Sequence, residues 1–242
     1  MFSIAFVLYK DLNVDPKRIE IDFKKMWDED LNVQYTFNSM KFNYKQFDVV
    51  ISFVNEPINK EEMERVAKHN PLFENGIKIA KNHKCHAVVA IKGVSSHVER
   101  YKALTKILAS MAMSYNAKAI YLGAQQLLYS DTFIVEQAKL LHNGYLPVQS
   151  WVYIGFYSYD GAFYAYSQGM KEFNRLEIEI MADDKTPQEL HQTILNFIFY
   201  HLASHRQYED GEVLCLNDDC VIEISHRWSD TLKEDTLLLR FI

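Results

Sequence analysis

Half of the residues from Trp151 to Tyr166 are aromatic, eight of sixteen, and an Asp160-Gly161 pair splits them into two alternating runs. Asp-Gly supplies the positive φ angles that a two-residue hairpin turn requires. Such a turn fixes the register, because a slip of one residue would invert every side chain. The segment therefore predicts a β-hairpin of residues 149–158 against 162–167. Tyr159 should face Ala162, Tyr157 should face Tyr164, and Gly155 should face Tyr166. One side then carries Val152, Ile154, Phe156, Phe163 and Ala165, all apolar, and is expected to meet core helices. The other carries Trp151, Tyr153, Tyr157, Tyr164 and Tyr166, with Tyr166 covering the bare backbone at Gly155. A tyrosine joins an apolar body to a polar tip. Such a face suits either an internal seam against the rest of the chain or a surface that a partner covers, where Tyr and Trp dominate binding. These five residues are the candidate partner-binding set.

The remaining pattern alternates strands and helices. Residues 3–9, 32–37, 47–54 and 85–92 read as strands, rich in β-branched and aromatic side chains. Asp15-Pro16 and Asn59 open helices, and Asn70-Pro71 interrupts the second before a third at about 72–83. The resulting β-α-β-β-α-β order is that of the split βαβ, ferredoxin-like unit. Beyond Gly93, Ser95 or Ser96 caps a helix reaching about residue 115, with an apolar stripe of Leu104, Ile107, Leu108 and Met111. A strand at 118–122, a helix at 131–142, the hairpin, an alternating strand at 174–181, a helix from 187 to about 204 and strands at 220–225 and 236–241 follow. Thr186 with Glu189 forms a capping-box signature. The expected class is α+β: two ferredoxin-like (βαββαβ-type) halves with mainly antiparallel sheets, 1–93 and 94–242, as a degenerate repeat or one continuous domain.

Charge and composition exclude several roles. The chain of 242 residues has 26 basic and 32 acidic side chains, net −6. That argues against non-specific nucleic-acid binding, which needs a basic face. Residues 1–92 hold 14 basic and 13 acidic groups, and residues 93–242 hold 12 and 19. Acidic pairs at Asp183-Asp184, Glu209-Asp210, Asp218-Asp219 and Glu234-Asp235 read as solvated loops or as an acidic face for a basic protein. Three cysteines, Cys85, Cys215 and Cys220, describe no disulfide framework. No apolar run approaches the ~20 residues that cross a bilayer, and no secretory leader is visible, so a cytoplasmic location without membrane attachment is expected. With only 8 glycines, neither GxGxxG nor GxxxxGK[ST] occurs. No cofactor is expected.

Candidate chemistry is sparse. Glu177 and Glu179 stand at i and i+2 of one strand, ~7 Å apart, where they could share acid-base or metal duties or simply form its polar side. His83, Cys85 and His86 cluster where a helix meets a strand, without a second ligand pair. His201 and His205 are i and i+4 on one helix, a spacing that can hold a metal, but HExxH is absent. No GxSxG elbow occurs.

Ser167-Gln168-Gly169-Met170-Lys171-Glu172-Phe173, followed by Leu176-Glu177-Ile178-Glu179-Ile180, resembles a bacterial family labelled domain of unknown function 4261. That family tends to show small-x-Gly-Leu-x-x-Phe-Gly, an acidic-hydrophobic strand, a helix and an Asp-Gly turn. Asp210-Gly211 stands in the place of that turn, while Asn174 departs from the more usual glycine. The resemblance covers about residues 145–242. It implies a cytoplasmic bacterial protein and carries over no activity.

The reading that follows is a non-enzymatic protein-binding module of the immunity or antagonist type, using the tyrosine face and the acidic second half. Its alternative is a small-molecule-binding or metal-dependent hydrolytic protein with a cleft between the halves, using Glu177, Glu179 and a histidine. A homodimer built by stacking tyrosine faces is a third.

Overall fold

The computed structural model describes residues 2–70, 73–94, 96–114, 117–182, 185–204, 206–217 and 220–242. It is α+β, with six α-helices and two mainly antiparallel sheets among the described residues. Two compact units divide at Ser150/Trp151.

The first unit contains β1 (Phe2–Tyr9), α1 (Pro16–Trp27), β2 (Gln34–Tyr35), β3 (Ser39–Tyr44), β4 (Phe47–Val54), α2 (Lys60–His69), α3 (Gly76–Asn82), β5 (Cys85–Lys92), α4 (His97–Ser114), β6 (Ala117–Leu122), β7 (Leu127–Ser130) and α5 (Asp131–Lys139). The sheet order is β2-β3-β4-β5-β1-β6-β7, every pairing antiparallel. The Asp15 side chain accepts from the Lys17 N–H, capping α1 with Pro16 in its first turn. On one sheet face, Met63, Val66 and Ala67 of α2 and Ala80 of α3 pack with Leu8, Ala119, Tyr121 and Leu128. α4 lies along β1, β5 and β6, flanked by α1 and α5.

Two expectations are corrected here. The boundary at 93 cuts the first sheet, because β6 pairs with β1 through Phe6–Tyr121, Val7–Ile120 and Leu8–Ala119. Residues 94–150 complete that sheet instead of opening a second half. The ferredoxin-like order is also not the one observed for 1–93. It would set the first strand between the third and fourth predicted strands, whereas β5 lies between β4 and β1. A split βαβ does occur one element later: β5, α4 and β6 bracket the antiparallel β1.

The second unit contains β8 (Tyr153–Tyr159), β9 (Ala162–Gln168), β10 (Glu177–Ala182), α6 (Pro187–Ala203), β11 (Glu212–Asn217), β12 (Cys220–Ser229) and β13 (Glu234–Phe241). Its order is β11-β12-β13-β10-β9-β8. Two three-stranded meanders lie side by side, joined by the parallel pair β10 and β13. The first sheet has no parallel pair, so the two units are not a repeat of one another. Thr186 and Glu189 form the capping box at the start of α6. Leu190, Ile194, Phe197 and Ile198 of that helix are buried, as are Ala165, Ile178, Ile180, Leu237 and Leu239 on the apolar side of the sheet. No helix among the described residues is long and apolar enough to cross a membrane.

Candidate functional site

The hairpin has the register expected from its turn: Tyr159–Ala162, Tyr157–Tyr164 and Gly155–Tyr166. Asp160 and Gly161 take φ values of 49° and 81°, both in the left-handed region that this turn demands. Strand alternation then separates the two faces. Phe156, Phe163 and Ala165 share the apolar side, where Phe156 stacks on Phe163 at 5.7 Å and approaches His191 of α6 at 6.4 Å. Tyr153, Tyr157, Tyr164 and Tyr166 share the other.

On the tyrosine face the rings interlock. Tyr157 and Tyr164 stack with centroids 4.8 Å apart and planes 2° from parallel. Tyr166 meets Tyr157 at 5.9 Å and Tyr153 at 6.1 Å. A Cβ at residue 155 would sit 2.4 Å from the Tyr166 ring, so only glycine lets that ring lie flat over β8. The Arg227 guanidinium lies 5.4 Å from the Tyr164 ring centre, a cation–π distance. Tyr153, Tyr157 and Tyr166 are half-buried, and Tyr164 is buried.

Trp151 does not belong to this set. β8 begins at Tyr153, and Trp151, 1% exposed, stacks on Phe173 at 5.6 Å. The preceding 3-10 turn at Val148–Ser150 ends the alternation before it reaches the tryptophan.

Glu179 lies under the rings, fully buried, and holds the face together. Its Oε1 accepts from the Tyr157 hydroxyl at 2.5 Å and the Ser229 hydroxyl at 2.9 Å. Its Oε2 accepts from Arg227 Nη2 at 2.9 Å and Nε at 3.3 Å, and from the Thr236 hydroxyl at 3.0 Å. Burial opposes the charge on Glu179. The bonds from Tyr157, Arg227 and Ser229 outweigh it and hold the carboxyl below its ordinary value. Burial, followed by the Glu179 hydrogen bond, pushes the Tyr157 phenol up. Burial and the neighbouring Tyr166 push Tyr153 up to about 12. Tyr153, Tyr157 and Tyr166 are therefore neutral phenols at physiological pH, and the buried Glu179 carboxylate is matched to the partly exposed Arg227 guanidinium.

Glu177 is occupied separately. Its carboxylate accepts from the Ser167 hydroxyl at 2.7 Å and from the backbone N–H groups of Gly169 at 2.8 Å and Met170 at 3.2 Å. Ser167 Oγ in turn accepts from the Ile178 N–H at 2.8 Å. Burial pushes the Glu177 carboxyl up, against those donors. Ser167, Gly169 and Glu177 thus form a clasp that ties the turn after β9 to the first residue of β10. Glu177 and Glu179 consequently face separate donor sets, and neither has a carboxylate oxygen free of protein donors.

The histidine and cysteine candidates do not converge. His83 Nε2 accepts from the Ile58 N–H at 2.9 Å and its Nδ1 meets the Ala80 carbonyl at 2.8 Å. His86 bonds the Glu56 carbonyl at 2.8 Å, and the buried Cys85 thiol points at the Tyr9 carbonyl. His201 is 2% exposed and lies between Phe197 and Tyr208, with neither ring nitrogen hydrogen-bonded among the described residues. Burial, aided by Arg175, lowers it to about 4, while the Arg206 backbone acts weakly the other way. Its expected companion His205, like Asp183-Asp184 and Asp218-Asp219, lies outside the described residues. Among those residues no group of three or more His, Cys, Asp and Glu side chains could hold a metal. In the first unit, a shallow cleft of about 160 Å³ is lined by Tyr44, Lys45, Glu99, Lys102 and Lys106. Lys102 is paired with Glu99 at 2.7 Å and Lys106 with Glu29 at 2.6 Å, which largely offsets its positive charge.

Sequence reasoning missed Arg227, Ser229 and Thr236, the donors that make Glu179 structural. They lie 48, 50 and 57 residues downstream of it, and nothing local marks them. Compared with known proteins, the chain matches no family model, no curated protein and no solved structure.

Proposed function

We propose that the chain is a non-enzymatic, protein-binding module of a bacterial cytoplasm, an immunity- or antagonist-type partner that engages another protein through the tyrosine face of its second unit. One observation carries this reading. Tyr153, Tyr157 and Tyr166 are half-buried, each keeping part of its surface in solvent, on a sheet face opposite α6, in fixed positions set by Gly155 and by the Glu179 hydrogen bonds. Rigid aromatic side chains with few rotatable bonds lose little entropy on contact, and this makes them effective anchors. Glu179 and Glu177 support the same reading, since both carboxylates serve the fold.

The division at Ser150 strengthens the electrostatic part. Residues 1–150 carry 19 basic and 16 acidic groups, net +3, and residues 151–242 carry 7 and 16, net −9. The acidic excess belongs wholly to the unit with the aromatic face, so a basic partner is drawn to it. The bacterial, cytoplasmic setting rests on the resemblance over residues 145–242 and on cysteines that describe no disulfide framework.

The test is affinity. The partner recovered with the wild-type chain from its native cell should bind a Tyr153→Ser, Tyr166→Ser variant at least about tenfold more weakly, as expected for lost aromatic anchors. Circular dichroism should remain that of the wild type. Unchanged affinity in a folded variant would overturn the assignment of this face.

A further inference from the structure

Among the described residues, four strands form the edges of the two sheets, and three of them are blunted. β2 has only two residues. β7 has four and passes directly into α5, whose cap is Ser130. β11 carries Glu212, ion-paired to Arg206, and its pairing slips between Cys215 and Asn217. Shortness, charge and bulges are the devices by which native sheets prevent unwanted pairing. β8 has none of them. It is seven residues long, contains no charged residue and no proline, and pairs with β9 without a register shift. Its sequence, Tyr-Ile-Gly-Phe-Tyr-Ser-Tyr, leaves Phe156 41% and Tyr159 56% exposed.

We propose that the outer edge of β8 is a homodimer interface, with β8 of a second copy adding antiparallel about a two-fold axis at Phe156. The strand is self-complementary about that residue. The axis sets Phe156 opposite Phe156 of the second copy and Tyr153 opposite Tyr159 of the second copy. Ile154 then faces Ser158, and Gly155 faces Tyr157. Both exposed aromatics gain a cross-strand aromatic neighbour. No like charges oppose each other, since the strand has none. An isologous contact of this kind closes on itself and does not propagate into fibres. This inference rests on the edge of β8 and is independent of the role proposed for the tyrosine face.

Electrostatics give the association a distinctive sign. Each second unit carries net −9, so two copies repel at low ionic strength and salt relieves the repulsion. A contact with a basic partner would weaken in salt instead.

The experiment is light scattering of the full chain across a concentration series at low and high salt, for wild type and Ser158→Lys. Ser158 is exposed, and a lysine there restores the missing edge charge without entering the core. The wild type should rise from the 28.4 kDa chain mass towards twice that value, more readily in high salt, while Ser158→Lys stays at 28.4 kDa with an unchanged thermal midpoint. A second variant, Phe156→Cys in a Cys215→Ser, Cys220→Ser background, should form a disulfide-linked dimer on mild oxidation, because the axis brings the two residues together. A wild type that stays at the single-chain mass at every concentration would overturn the proposal, even if it captures a foreign strand. A dimer that survives Ser158→Lys and fails to cross-link at residue 156 would overturn it too, and would place the interface elsewhere.

Discussion

Replacing Glu179 by leucine tests whether this carboxylate is the anchor of the tyrosine face. The substitution keeps the side-chain volume roughly constant and removes every acceptor at the centre of the network. Tyr157 is only half-buried and its hydroxyl can turn to water, and Thr236 keeps a second acceptor in the Arg227 carbonyl at 3.4 Å. The Ser229 hydroxyl, 1% exposed, and the Arg227 guanidinium are the groups left stranded. Removing one partner of a buried ion pair costs about 3–5 kcal/mol. Because the Arg227 side chain is 31% exposed and can partly rehydrate, the lower end applies, about 3 kcal/mol. Changing Arg227 to leucine as well removes the stranded charge. The double variant should therefore be more stable than the sum of the single losses implies, with a coupling of about 2 kcal/mol. Urea denaturation followed by near-ultraviolet circular dichroism, which reports the Tyr157–Tyr164 stack, measures all four corners of the cycle. The folded carboxyl lies below its unfolded value. Its charge therefore stabilises fully above about pH 4.3, and the benefit fades as pH falls through the folded pKa. The Glu179→Leu penalty should shrink in acid accordingly. A single-variant loss below about 0.5 kcal/mol, or strictly additive losses, would refute the reasoning.

Other consequences follow from neighbouring residues. His201 titrates near 4 in the fold against 6.5 for an ordinary histidine. Stability is thus complete above the unfolded value and declines by up to about 3 kcal/mol as pH drops from 6.5 towards 4. His201→Phe should remove that slope in urea titrations at stepped pH, and an unchanged slope would count against it. Gly155→Ala should displace the Tyr166 ring and cost about 1–3 kcal/mol, with most of the loss absent in a Tyr166→Ala background; equal losses in both backgrounds would contradict the geometry. Thr186→Ala should lower stability by about 1 kcal/mol through the lost cap of α6, read as a lower thermal midpoint.

What was legible in the sequence was local. A two-residue turn set the hairpin register because Asp160-Gly161 alone determines its geometry. Thr186 and Glu189 announced α6 because a capping box spans four residues. What was missed was carried by pairing over distance. β3 shows the alternation of Met40, Phe42 and Tyr44, all buried, yet stands too close to β2 and β4 to be separated by pattern alone. β7 is too short to signal, and β11 emerges only from its ladder with β12. The boundary at 150 depends on β1 accepting β6 across more than a hundred residues of chain. The candidate site divides in the same way. The tyrosines could be placed on one face from the turn, whereas the roles of Glu177 and Glu179 depend on donors from other turns and strands. Trp151 was misplaced because the alternating pattern extends beyond the strand's true start.

The central claim, that the tyrosine face meets another protein, is tested most directly by photo-crosslinking in the native cell. A photoreactive phenylalanine analogue at Tyr153 samples this face, and the same group at Tyr200, 51% exposed on α6, samples the opposite side of the unit. The account predicts from position 153 a discrete adduct with a different protein, apart from any species at twice the 28.4 kDa chain mass, and none from position 200. Adducts from position 200 alone, or none from position 153 while the chain is folded and abundant, would contradict it.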